Sequence, residues 1–351
     1  MPTERAGDVA PGRSLPATIA YLRPAALIAV VAVAGLLGGR MIPLLGAAAF
    51  AMITGVLLRT LGPAAWTAGV PPRLGSRLLQ LSIVALGLSV NMALVASVAA
   101  SSFIVMIVTL VIGLAAILVI ARRLGIEPAM GALVAAGTAI CGASAIAAVA
   151  PVVGATGRQV GRALAVIFAF NLAAVALFPA IGHALDLAGS RYAVWAGTAV
   201  NDTASVLAAA FAFAPDTIAE ATTVKLARTL MIVPVVLAFA ATSRRMPAGT
   251  GAGTVAGIRA RLRLVPLFVI AFLAGALLNT AGLVPPAVAS IAPQVAFVGT
   301  VVALATIGLT VDLRSFAGSG SRLILLGLFG WLIVATSSML LIQAGSIPGA
   351  R

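Results

Sequence analysis

Two stretches of this sequence share one unusual pattern. Residues 136–142 read AGTAICG, and residues 196–202 read AGTAVND. Each stretch lies in the middle of a long apolar run and brings glycine and polar side chains into it. Glycine tolerates backbone conformations that break a helix, and a break exposes backbone NH and CO groups. The sequence therefore predicts two membrane helices that are interrupted near their centres.

The chain around these stretches is strongly apolar. Of its 351 residues, 62% are hydrophobic and only 9% are charged. Soluble domains contain about 45–50% apolar and about 25% charged residues. The composition excludes a soluble enzyme and a disordered chain, and it predicts an all-α polytopic protein of the lipid bilayer.

Eleven apolar segments have the length of membrane spans. They cover residues 24–38, 42–61, 78–97, 101–121, 128–153, 160–185, 192–214, 217–242, 264–281, 294–312 and 321–343. The predicted organisation is a disordered cytoplasmic tail (1–22), eight segments within 23–243, a basic cytoplasmic linker (244–263), three segments within 264–343, and a short tail (344–351).

The charge pattern is that of a membrane protein with a cytoplasmic N-terminus. The net charge is +14, and the basic residues lie mostly in the short gaps between apolar segments. This distribution follows the positive-inside rule, so no nucleic-acid partner is expected. The single Cys141 excludes an internal disulfide.

Two topologies fit the basic residues. If all eleven segments cross the membrane, Arg158 and Arg162 lie outside, against the positive-inside rule. If segments 128–153 and 192–214 instead re-enter from opposite faces, these two residues lie inside and Arg191 moves outside. The second topology improves the count by one charge only, so both remain open.

A second match links two distant segments. Residues 87–92 read GLSVNM, and residues 308–313 read GLTVDL. They belong to the third and tenth segments, which run in opposite directions in either topology. An inverted repeat with two interrupted or re-entrant segments is typical of secondary transporters. Similar composition of small-residue helices is the alternative explanation.

Three ionisable residues lie deep inside apolar segments, away from the segment ends: Asp202, Lys225 and Arg228. Each costs about 2.5–3.5 kcal/mol at a helix centre unless it faces a partner or water. Lys225 and Arg228 share a helix face, and with an ionised Asp202 the local sum is one positive charge. That surplus favours an anion, which Arg binds through two donors and Lys as a point charge. A structural salt bridge is the alternative.

The interrupted helices complete the predicted site, since half-helix N-termini direct partial positive charge at an anion. The predicted substrate-binding residues are Thr138, Cys141, Gly142, Ser144, Thr198, Asn201, Asp202, Thr203, Lys225 and Arg228. Asp202 is predicted to couple or gate transport. The sequence has one histidine and no metalloprotease, P-loop or dinucleotide motif. Neither a catalytic residue nor a metal site nor a cofactor is therefore expected, and the chain is not expected to be an enzyme.

The runs at 137–145, 197–203, 224–228 and 308–312 resemble the proposed sulfate exporter family of YeiH-like bacterial inner-membrane proteins. The resemblance covers nearly the whole chain from about residue 24. It implies a multi-pass inner (plasma) membrane transporter that exports a small oxyanion such as sulfate, sulfite or a sulfonate. The implied fold is similar to that of cation/proton antiporters and bile-acid symporters. Many members carry histidine where this chain has Asn201, which cannot titrate.

Two other functions stay open at this point. A Na⁺/H⁺-type antiporter would use Asp202 as its cation carrier, and a non-transporting membrane assembly subunit would use none of these residues for transport. The expected partners are a small anionic substrate, Na⁺ or H⁺ as coupling ion, and a second copy in a homodimer.

Overall fold

The computed structural model describes residues 17–42, 46–242, 267–314 and 320–345. The described residues are helical and include no strand. The predicted linker 244–263 lies outside them, as does the predicted C-terminal tail beyond residue 345. The predicted N-terminal tail is too long by six residues, because the first helix begins at Ala17.

Fifteen α-helices and two short helical turns make up the described part. They are α1 (Ala17–Met41), α2 (Gly46–Leu61), α3 (Ala64–Thr67), α4 (Leu74–Gly87), α5 (Met92–Arg123), α6 (Pro128–Ala136), a π-helical turn (Gly137–Cys141), α7 (Ala143–Val153), α8 (Gly157–Ala184), α9 (Gly189–Ala199), α10 (Thr203–Phe213), a 3₁₀ turn (Pro215–Thr217), α11 (Ile218–Thr229), α12 (Ile232–Thr242), α13 (Leu267–Thr280), α14 (Pro286–Gly308) and α15 (Ser321–Gln343).

Six stretches of the described residues are long and apolar enough to cross a membrane. They are Leu22–Met41, Met92–Arg123, Gly157–Ala184, Pro215–Ala241, Pro286–Gly308 and Ser321–Gln343. The other five predicted segments fall on shorter helices, namely α2, α4, α13 and the two interrupted segments. The all-helical membrane class is therefore confirmed, while eleven full-length spans are not.

One predicted boundary is wrong. Segments 78–97 and 101–121 were expected to be separated near residue 99, but α4 ends at Gly87 and α5 begins at Met92. The side chain of Asn91 is the physical reason, because its oxygen accepts a hydrogen bond of 2.7 Å from the Ala93 backbone N–H and caps α5. Because the residues on both sides of this bend are apolar, hydropathy did not predict it.

The helices form two bundles that pack side by side. The five-helix bundle consists of α1, α2, α4, α13 and α14, and the hairpin bundle consists of α5–α12 and α15. Small residues permit close packing within the first, since a Cβ atom at Gly308 of α14 would collide with the Met52 carbonyl of α2. The bundles meet where α2 contacts α8 and α10.

Predicted segment 128–153 folds back on itself. After α6 and the π-helical turn the chain reverses at Gly142, and α7 packs against α6. The two ends of the segment lie together, because Val153 and Pro128 line the same cavity. Just beyond them, the Gln159 side-chain amide donates a 2.7 Å hydrogen bond to Glu127. We call α6, the π-helical turn and α7 the first hairpin.

Predicted segment 192–214 also folds back. The ring of Tyr192 in α9 stacks on Phe213 at the end of α10, with centroids 3.7 Å apart, and its hydroxyl donates to the Ala209 carbonyl. We call α9 and α10 the second hairpin. The first hairpin ends where α8 begins, and the second begins where α8 ends. The two hairpins therefore enter the bundle from opposite ends of α8.

Candidate functional site

The tips of the two hairpins meet inside the protein. The first tip turns at Gly142, whose φ of +64° and ψ of −121° suit glycine. A Cβ atom added there would lie 3.2 Å from the Asp202 Cβ in the second tip. The contact brings together the two stretches that share the sequence pattern.

Lys225 holds the two tips together. Its ammonium group donates hydrogen bonds of 2.8 Å to the Ile140 carbonyl and 2.7 Å to the Val200 carbonyl, one in each hairpin. These carbonyls lie at the C-terminal ends of the inward-running half-helices, where the backbone has no helical donor and carries partial negative charge. The side chain is fully buried.

Arg228 binds the first hairpin tip through the Nε atom of its guanidinium. Its Nε donates a 2.6 Å hydrogen bond to the Ala139 carbonyl of the first tip. The two terminal nitrogens have no hydrogen-bond partner among the described residues, although the side chain is fully buried. An unpartnered buried donor on a charged group costs more than the 1–3 kcal/mol typical of a neutral one.

Other unpartnered polar atoms lie close along the chain to these contacts. They belong to Thr138, Asn201 and Thr222. Thr138 and Asn201 each neighbour a residue whose carbonyl Lys225 or Arg228 binds, and Thr222 is one helical turn before Lys225. The hairpin tips therefore combine two buried cations with several buried polar atoms that have no hydrogen-bond partner among the described residues.

A cavity of about 360 Å³, cavity 1, lies beside the tips and between the two bundles. The hairpin bundle contributes Cys141, Ser144, Asp202 and Thr203 to its lining. The five-helix bundle and its loops contribute the polar side chains of Ser76, Gln80, Thr310 and Asp312. Lys225 and Arg228 do not line it. The described side chains that line cavity 1 are thus neutral or acidic.

A second cavity of about 920 Å³, cavity 2, lies between the bundles at the opposite end of α4. Cavity 1 is lined near the start of α4, at Ser76, whereas cavity 2 is lined near its end, at Leu86. The matched stretches divide between them. Residues 89–91 line cavity 2, and their counterparts 310–312 line cavity 1.

A family model described as "Conserved hypothetical protein 698" matches residues 25–327. The match includes both hairpins, Lys225, Arg228 and both cavities. This chain belongs to that family. Similar proteins are named "UPF0324 membrane protein". They come from Vibrio parahaemolyticus (34% identical, 75% of this chain and 82% of that protein), Clostridium tetani (31%, 85% and 89%) and Streptococcus pyogenes (34%, 86% and 90%). No solved structure matches the chain.

In this family member the predicted site residues divide into three groups. Cys141, Ser144, Asp202 and Thr203 line cavity 1, and Gly142 forms the tip beside them. Thr138, Asn201, Lys225 and Arg228 are buried behind the tips. Thr198 lies apart, because its hydroxyl donates to the Val194 carbonyl and contacts Ser338 on α15.

Asp202 does not form the salt bridge that the sequence left open as an alternative. Its two oxygens accept hydrogen bonds from the Ser205 backbone N–H (3.0 Å) and hydroxyl (2.8 Å), so that it caps α10. Lys225 binds carbonyls instead of this carboxylate. The alternative of a structural Asp202 salt bridge is therefore wrong for this structure.

Sequence reasoning missed the side of the site that comes from the five-helix bundle. Gln80 is a polar residue inside a predicted apolar segment, and residues 310–312 belong to a recognised repeat, so both carried a signal. Neither signal indicated a position beside the hairpin tips, because only the packing of α4 and α14 brings them there.

Substitution of Gly142 tests the shape of the first tip. We expect Gly142→Ala to destabilise the protein by about 1–3 kcal/mol, because the positive φ strains an L-residue. Gly161→Ala in α8 is the matched control, since its Cβ would meet nothing within 4 Å and alanine favours a helix. Thermal unfolding in detergent measures both. Equal stability of the two variants would contradict the described tip.

Proposed function

We propose that this protein is a secondary transporter of a small oxyanion, with sulfate, sulfite or a sulfonate as the substrate class. The observation that carries the proposal is the buried guanidinium of Arg228, whose terminal nitrogens lack a protein partner beside the hairpin tips. A bound oxyanion would accept hydrogen bonds from both nitrogens in the two-pronged geometry that Arg favours. Thr138 and Asn201 would add donors.

The number of buried positive charges supports an anion-binding site behind the hairpin tips. Lys225 and Arg228 are both fully buried there, and Asp202 is directed to Ser205 on the other side. The half-helix ends that Lys225 and Arg228 bind carry only partial negative charges. Burial of a charge is costly without compensation, so an anion that enters this site would relieve that cost.

The two cavities support transport rather than static binding. Cavity 1 is lined by Cys141 and Asp202 of the hairpin tips, so a substrate can approach the tips from one face of the protein, and movement of the tips would then connect it to Arg228. Cavity 2 lies between the same bundles at the opposite face, with the repeat-related residues at its wall. We propose alternating access, in which the bundles move relative to each other and connect the tips to one cavity at a time.

The hairpins favour the re-entrant topology of the two alternatives. The residues that line cavity 1 lie next to Arg73, Arg77, Arg162 and Arg314 along the chain, so the positive-inside rule places the opening of cavity 1 at the cytoplasmic face. Arg158 then lies inside, and so does the N-terminus. The proposed location is the bacterial inner membrane.

We propose that the repeated elements have inverted orientations, but the two sequence matches do not come from a single duplication with one constant offset. The hairpin match has an offset of 60 residues, whereas the other match has an offset of 221. Corresponding local geometry supports the second match. Asn91 and Asp312 each accept a hydrogen bond from the backbone N–H two residues ahead, after helices that end at Gly87 and Gly308.

A second candidate function is cation antiport. The observation that favours it is the presence of two carboxylates, Asp202 and Asp312, among the side chains that line cavity 1. In this candidate Asp202 carries Na⁺ or H⁺, and Lys225 and Arg228 only stabilise the tips. Within the oxyanion proposal, the same carboxylates would bind the coupling ion.

Transport by sealed proteoliposomes tests the proposal. We expect saturable uptake of radiolabelled sulfate, sulfite or taurine, stimulated by a Na⁺ or pH gradient, and loss of that uptake in Arg228→Lys. Liposomes without protein are the control. Na⁺ or H⁺ flux without uptake of any of the three anions would favour cation antiport. Absence of all these fluxes would contradict both transport functions.

A further inference from the structure

A third cavity, cavity 3, lies outside the proposed transport site, at the base of the first hairpin. Its volume is about 550 Å³. Leu114 and Leu118 of α5, Ala129 and Ala132 of α6, and Phe239 of α12 contribute to its wall. Apart from backbone atoms and one side chain, the wall is apolar.

Among the described residues that line cavity 3, one is charged: Arg122, in the last turn of α5. It is exposed, and the described residues provide no hydrogen-bond or ion-pair partner for its guanidinium. Leu114 precedes it by two helical turns, or about 12 Å. Cavity 3 therefore extends from a free cation at a helix end into the apolar depth of the helix bundle.

We propose that cavity 3 binds one anionic phospholipid, with an acyl chain along the apolar wall and its phosphate on Arg122. A ligand that fits cavity 3 needs an apolar part to pack against the wall and an anionic group to bind Arg122. An anionic phospholipid has both. Basic pockets between membrane helices at the cytoplasmic face commonly bind such headgroups. A guanidinium also binds a phosphate group through two parallel hydrogen bonds.

The position of the lipid gives it influence over the first hairpin. Ala129 and Ala132 belong to the half-helix that leads to the tip at Gly142. A ligand that binds only the folded protein stabilises it by an amount that grows with the logarithm of ligand concentration once that concentration exceeds the Kd. A bound acyl chain would fill the space beside α6 and support the base of the hairpin. This proposal does not depend on which ion the protein transports.

Lipid titration of the purified full-length protein in detergent tests the proposal. We expect phosphatidylglycerol to raise the unfolding temperature and to remain bound in native mass spectrometry, whereas phosphatidylcholine does so weakly. Arg122→Gln should lower the apparent affinity for phosphatidylglycerol about five- to tenfold, because it removes a charge-assisted contact at the membrane surface. Ala129→Phe should lower it as well by narrowing the cavity.

Arg123→Gln is the matched control, because Arg123 is the neighbouring exposed cation and does not line cavity 3. It should bind phosphatidylglycerol as the parent protein does. Equal effects of phosphatidylglycerol and phosphatidylcholine would overturn the proposal, as would equal losses in Arg122→Gln and Arg123→Gln. A thermal shift of the same size with inorganic phosphate would show that the acyl chain contributes nothing, and it would overturn the lipid assignment.

Discussion

Lys225→Met is expected to unfold the protein at a much lower temperature than the parent, in the absence of any substrate. The substitution leaves the Ile140 and Val200 carbonyls buried without their donor. A hydrogen bond to a charged group contributes about 1.5–3 kcal/mol, so two such bonds amount to about 3–6 kcal/mol. The two hairpin tips would also lose the side chain that links them. Thermal unfolding in detergent measures the effect.

The control for Lys225→Met is Arg123→Met, which removes a cation of the same sign from an exposed position. Surface substitutions usually change stability by less than about 0.5 kcal/mol. If Lys225→Met were as stable as Arg123→Met and lost only substrate binding, the linking role of Lys225 would be wrong. Lys225 would then be a direct substrate ligand, as the sequence predicted.

Arg228→Lys is expected to weaken sulfate binding by roughly 10- to 150-fold, the range that corresponds to one lost hydrogen bond to a charged group. Lysine keeps the positive charge but lacks the two terminal nitrogens through which arginine binds an oxyanion with two parallel hydrogen bonds. Among the described residues, Arg228 makes a single hydrogen bond, from Nε to the Ala139 carbonyl, so stability should fall less than in Lys225→Met. Calorimetry measures the affinity, and thermal unfolding measures the stability.

Asp202→Asn is the companion variant to Arg228→Lys. The amide oxygen can still accept from the Ser205 N–H, so the cap of α10 is largely kept. Removing a negative charge near the anion should leave sulfate binding equal or tighter, while transport loses its coupling to a cation gradient. If Arg228→Lys and Arg228→Ala both bound sulfate as the parent does, the anion site would be wrongly assigned. Under cation antiport, Asp202→Asn would abolish function and Arg228→Lys would leave ion flux intact.

Local sequence determined much of this protein because the relevant forces act locally. Burial in lipid requires runs of apolar residues, so the helical membrane class could be predicted from composition and from the segments alone. An interruption of the helix at residues 137–142 could be predicted, since glycine tolerates backbone conformations that break a helix, whereas the sequence left open whether the chain reverses there. The cost of burying charge in a membrane indicated Lys225 and Arg228 as candidate site residues.

Boundaries were less predictable where a polar group satisfied the backbone within an apolar context. The side chain of Asn91 caps α5 and so fixes where the helix begins. In the sequence, Asn91 cannot be distinguished from any other polar residue. Segment 217–242 likewise contains a break between α11 and α12 at residues 230–231. Hydropathy does not register such breaks, because it sums side chains and ignores where the backbone hydrogen bonds go.

The partners of the buried charges were decided by the tertiary structure alone. From sequence, Lys225 and Arg228 were equally good ligands for an anion in a cavity, and Asp202 was a natural partner for either. Packing instead brings carbonyls of both hairpin tips to Lys225 and turns Asp202 toward Ser205. It leaves the two terminal nitrogens of Arg228 without a hydrogen-bond partner among the described residues. Residue type determines which bonds a group can make, but backbone carbonyls from segments about 60 residues apart reach one ammonium group only after both hairpins have folded.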